Sequence, residues 1–172
     1  MTRTIVLMAV LAVVLVLAQV VCSKIILFNV AMPIVFIYLI VRMPMSWHAN
    51  VTMTVGFLVG LLVDVFNNTP GMHALSCTVL AGVRHTVFNA YVPREDEMAE
   101  PFPSIDSLGM GVYFKYMFTL VLIYCTLLFF IQAFTLRDPL LTLGRVGAST
   151  ALTSLILLGI DSLLSTRREK GL

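Results

Sequence analysis

The chain has 172 residues, 59% hydrophobic and 12% charged, with a formal net charge of +2 and a mean hydropathy of +0.99. Soluble domains use about 25% charged residues, so water cannot be the main solvent here, and nothing in the charge marks a nucleic-acid partner. Cys22, Cys77 and Cys125 lie in or beside apolar runs without the spacing of a disulfide framework or a zinc site, and read as small packing residues.

A helix needs about 20 apolar residues to cross the hydrocarbon core. Six segments come close, at 5–21, 25–41, 51–66, 72–92, 112–134 and 143–164. Arg3 precedes the first as in a signal peptide, but "AQVVCS" lacks a small-residue cleavage pattern, so the segment reads as an uncleaved span. Pro33 falls near the middle of the second and predicts a kink there, which shapes packing more often than it lines a cavity. The third carries Asp64, the fourth Arg84 and His85, the fifth Lys115 and the sixth Asp161, for which an interfacial position suffices. The connectors "CSK", "RMPMSWHAN" and "NNTPG" are short. The longest, "PREDEMAEPFPSIDSLGMG" at 93–111, holds five of the nine acidic residues and reads as an irregular solvated loop. The tail "TRREKGL" is a short basic stub suited to anionic headgroups.

Six spans put both termini on one side. That side collects Arg3, Arg42, Arg84, Arg94, Lys115, Arg167, Arg168 and Lys170, and the other Lys24, Arg137 and Arg145. Basic residues stay cytoplasmic, so eight against three of the 11 places both termini in the cytoplasm. Arg84 is expected to snorkel to that interface beside His85.

The stretch "GFLVGLLVDVFNNTPGMHAL" at 56–75 puts a carboxylate inside an apolar run. Thr52, Gly56, Gly60 and Asp64 recur every four residues and share one helix face. Small residues let two backbones approach in lipid, so Asp64 continues the face suited to pack on protein. It lies roughly 20 Å along its helix, in the outer third of the core. Donors are near in Asn67, Asn68, Thr69, the backbone of the turn and His73. Two readings stand level: a functional intramembrane acid, or a carboxylate that caps the turn at 67–71. A direct pair with Arg84 is not expected, because the two lie at opposite ends of the hairpin.

Chemistry is otherwise sparse. His48, His73 and His85 fall in different parts of the chain, and neither a phosphate-cradling glycine loop nor a nucleophile triad is present. The chain reads as a non-enzyme without cofactor or metal: an all-α integral membrane protein, a six-helix bundle with an interaction role.

At 56–84, "GFLVGLLVDVFNNTPGMHALSCTVLAGVR" resembles the central motif of the rod shape-determining MreD family. That motif is an apolar helix ending Gly-Leu-apolar-apolar-Asp, a polar turn with Pro-Gly, and a second apolar helix. Gly60, Leu61, Asp64, Pro70, Gly71, His73 and Ala74 hold those places. The candidate hairpin set is therefore Gly56, Gly60, Asp64, Asn67, Pro70, Gly71 and His73. The resemblance implies a non-enzymatic inner-membrane scaffold that binds MreC. It would associate indirectly with the MreB filament, the RodA glycosyltransferase and a class B penicillin-binding transpeptidase, in support of lateral-wall peptidoglycan synthesis and rod shape. The family has also been likened to the substrate-binding membrane components of energy-coupling-factor vitamin transporters, which makes a small-molecule-binding transporter component the alternative. That likeness is one of fold and identifies no ligand. One departure is Gln132 in "FFIQAF", where the family leads one to expect an acidic residue.

Overall fold

The computed structural model describes residues 2–22, 33–92, 103–132 and 139–169. Within them every regular element is an α-helix: α1 (Thr2–Cys22), α2 (Ile37–Val41), α3 (Ala49–Asn67), α4 (Met72–Tyr91), α5 (Ile105–Leu108), α6 (Met110–Gln132) and α7 (Pro139–Glu169). Three stretches are long and apolar enough to cross a membrane: Ala49–Asn67, Met110–Gln132 and Thr142–Ser162. The described elements are all helical, and these three stretches mark a membrane protein. Ser23 and Lys24 of the "CSK" turn, residues 25–32 of the second segment, the acidic run at 93–102 and the connector at 133–138 lie outside the described residues.

Local chemistry accounts for the helix ends. α3 stops at Asn68, which takes the left-handed conformation (φ 55°) that asparagine tolerates. α4 starts after Gly71 (φ 75°), a conformation only glycine adopts without strain. The expected loop at 93–111 is shorter than the sequence indicates, because its last residues are helical. Ser104 and Ser107 close a reciprocal capping box on α5, and α6 begins at Met110.

The second segment departs most from expectation. Where one kinked helix is anticipated at 25–41, residues 33–35 are non-helical and α2 is only five residues long. Pro33 has no N–H to give a helix, and the next two amides find acceptors elsewhere. Ile34 N–H donates to Thr153 Oγ1 (3.2 Å) and Val35 N–H to Gln19 Oε1 (2.7 Å). The Gln19 side-chain amide donates in turn to the Pro33 carbonyl at 3.1 Å. Side chains of α1 and α7 thus replace the missing helical bonds, as buried backbone demands.

α3 and α4 form a hairpin; α4 also packs on α6, α6 on α7, and α1 on α3. α2 lies in the centre against α1, α4 and α6, and the buried core gathers Phe36, Tyr38, Tyr113, Tyr116 and Tyr124. Large apolar side chains also cover the outside, among them Val13, Leu17, Leu58, Leu62, Val65 and Phe66. That inversion of the soluble pattern suits a surface solvated by lipid.

Candidate functional site

The hairpin is built on the four-residue stripe. Thr52, Gly56, Gly60 and Asp64 are all buried, and the stripe faces α4. A Cβ at Gly60 would lie 2.6 Å from Ala74 Cα and 2.7 Å from the His73 carbonyl oxygen, both backbone atoms that cannot swing aside. At Gly56 it would meet the Cys77 carbonyl oxygen at 3.1 Å and Ala81 Cβ at 3.2 Å. Of the two glycines, Gly60 therefore marks the closer approach of α3 to α4.

One turn further along the same face, Asp64 reaches the start of α4. Its Oδ1 accepts from the Thr69 hydroxyl at 2.5 Å and the His73 backbone N–H at 3.1 Å, and its Oδ2 from the Ala74 N–H at 2.8 Å. Gly71, the N-cap, has no side chain to satisfy the first-turn amides, so a carboxylate from the neighbouring helix does so. The positive end of the α4 dipole adds to the attraction. Asp64 is 2% exposed, and among the described residues its carboxyl oxygens meet one hydroxyl and two amides and no cation. Its own carbonyl oxygen accepts from Thr69 N–H at 3.0 Å, closing the turn.

The remaining residues of the set sit around this cap. Asn67 is half-buried at the end of α3, Pro70 is exposed at the tip and Gly71 starts α4. His73 gives Asp64 its backbone amide and not its ring. The ring instead has Nδ1 2.6 Å from Tyr124 Oη on α6, and Phe36 meets both rings edge-on, each with centroids 5.9 Å away. Through His73 the turn is tied to α6 and to the non-helical part of the second segment.

A second polar junction was not legible as such. Asp161 on α7 is 1% exposed and so buried within the protein. Its Oδ1 accepts from Tyr38 Oη at 2.6 Å and from Arg42 at 2.9 Å, Arg42 also donates to Tyr38 Oη, and Oδ2 accepts from Ile105 N–H, the first amide of α5, at 3.1 Å. One carboxylate thus joins α2, α5 and α7. The signal available in sequence was Tyr38 and Arg42, four apart at the end of one segment that the orientation rule puts on the same side as Asp161.

Arg84 also departs from expectation. Its side chain does not snorkel outward but is fully buried, donating from Nε to Tyr116 Oη at 3.1 Å and from Nη2 to the Met43 carbonyl. Those partners lie on α6 and just beyond α2, and Asp64 is not among them. Among the described residues no three His, Cys, Asp or Glu side chains are grouped to hold a metal ion.

Comparison with family models, with curated proteins and with solved structures finds no match.

Proposed function

We propose that the chain is a six-span inner-membrane scaffold of the cell-elongation machinery, with both termini cytoplasmic, that binds MreC and so supports lateral-wall peptidoglycan synthesis. The observation that carries this reading is the MreD-like motif at 56–84. What supports it further is the use the fold makes of those residues. Gly56, Gly60 and Asp64 are occupied in joining α3 to α4 and in capping α4, as suits a hairpin that presents a fixed surface. The side of α3 turned away from α4 carries Leu58, Leu62, Val65 and Phe66, all at least half exposed. We place MreC on that face, and not on the glycine stripe.

Depletion of the protein should turn rods into spheres; rods that keep their shape would refute the elongation role. The docking face is read by co-purification. Leu62→Trp and Phe66→Ala should reduce recovered MreC several-fold while the hairpin unfolds at the wild-type temperature. Undiminished recovery would remove this face from the interface. Gly60→Leu, by contrast, lowers both quantities and reports on packing.

The transporter reading has one observation in its favour, the non-helical stretch at 33–35. Broken spans line substrate sites in transporters. Here, however, the Ile34 and Val35 amides are bonded to Thr153 and Gln19 and so offer a ligand nothing. A nutrient requirement on depletion, with rod shape kept, would favour that reading instead.

A further inference from the structure

Where α6 ends and the apolar part of α7 begins, a cleft of about 70 Å³ opens between Phe129, Gln132, Thr142 and Arg145. It is too small for a vitamin-sized molecule, whose pockets run from about 300 to 1,000 Å³. Its chemistry is lopsided. Arg145 brings a permanent cation, and its Nε is buried without a hydrogen-bond partner. Gln132 and Thr142 add an amide and a hydroxyl, and Phe129 makes an apolar wall. Arg145 lies in the first turn of the Thr142–Ser162 stretch, at the level where a spanning helix leaves the hydrocarbon for the headgroups.

A guanidinium matches a phosphate in planar, two-point geometry, and an apolar wall beside it suits the start of a lipid's glycerol and acyl chains. We propose that this cleft binds a phosphate group, carried either by a phospholipid headgroup or by free phosphate. Arg145 is the charged contact, Gln132 and Thr142 are the neutral ones, and Phe129 sets the orientation. The site is independent of the scaffold reading and of the hairpin.

The test uses the purified full-length chain in neutral detergent. The probes are phosphatidylglycerol, a diacylglycerol with the same acyl chains, and sodium phosphate, with retention read by native mass spectrometry and protection by thermal unfolding. Wild-type protein should retain phosphatidylglycerol and not diacylglycerol. Arg145→Gln should weaken retention roughly tenfold or more, as loss of a charge-assisted contact implies, and Arg145→Lys should recover part of it. Millimolar phosphate that protects wild type but not Arg145→Gln, and displaces the lipid, would assign the site to free phosphate. Should Arg145→Gln fail to fold, Gln132→Leu, at an exposed position, should weaken retention in the same assay. Equal retention by wild type and variants, equal binding of diacylglycerol, or no binding of either phosphate source would overturn the proposal.

Discussion

The residue that decides most is Asp64. A carboxylate in an apolar helix invites a search for a cation, yet the acid is satisfied by Thr69, His73 and Ala74. Replacing it by leucine leaves the buried Ala74 amide and the partly buried His73 amide and Thr69 hydroxyl without an acceptor, at about 1–3 kcal/mol for the buried group and less for the others. Asp64→Leu should therefore destabilise the protein by at least about 2 kcal/mol in thermal unfolding, and Asp64→Asn by less, since it keeps one acceptor oxygen. Glycines divide in the same way. Gly60→Ala drives a methyl into α4 backbone and should cost about 1–3 kcal/mol, whereas at Gly71 the space is open and the cost is the positive φ alone, about 1–2 kcal/mol. Much of this was readable in the sequence, because the four-residue stripe and the adjacent turn are local. The role of the His73 ring was not, since its partner Tyr124 is 51 residues away.

At the scale of the element, the short helices depend on side chains far along the chain. A five-residue α2 and a four-residue α5 are well below the dozen or so residues at which a helix sustains itself. α5 relies on its capping box and on Asp161, and the non-helical stretch before α2 on Gln19 and Thr153. Asp161→Asn keeps an acceptor for Ile105 N–H but loses the ion pair with Arg42. It should raise amide exchange across 105–108 while exchange in α3 stays unchanged; equal exchange in the two proteins would show that the capping box alone holds α5. Gln19→Leu leaves Val35 N–H and the Pro33 carbonyl unpaired and should lower stability by about 2 kcal/mol or more, measured in the same unfolding assay. The helices α3, α4 and α6 were legible from their apolar runs, with ends within a few residues. The break after Pro33 was legible as a kink but not in its extent, which was decided by acceptors on α1 and α7. The ion pair of Arg42 and Asp161 spans 119 positions, and apolar periodicity carries no trace of such a pairing.

Across the whole molecule, two polar junctions are centred on carboxylates, alongside the buried Arg84–Tyr116 bond and the bonds of Gln19 and Thr153 to the 33–35 backbone. Asp64, Thr69, His73 and Tyr124 tie α3, α4 and α6 together; Tyr38, Arg42, Asp161 and Ile105 tie α2, α5 and α7. An outside of exposed valine, leucine and phenylalanine encloses both. Under the six-span arrangement the first junction faces the periplasm and the second the cytoplasm. Reporter fusions at the two termini should then give the same cytoplasmic signal, and a cysteine placed at Pro70, exposed at the hairpin tip, should react with an impermeant reagent added to whole cells. Termini on opposite sides would contradict the arrangement. Composition alone made the membrane class plain, whereas the arrangement of helices around the central tyrosines depends on contacts between distant parts of the chain.

The cap on α4 has a consequence for how the protein is made. Among the described residues, every donor to the Asp64 carboxylate comes later in the chain, between Thr69 and Ala74. While the ribosome has delivered only α3, the acid has no shelter, and partition into the bilayer at that moment is opposed. The two helices should therefore leave the translocation channel as a pair. Nascent chains arrested with α3 alone exposed should stay in contact with the channel, and chains long enough to expose α4 should pass into lipid together.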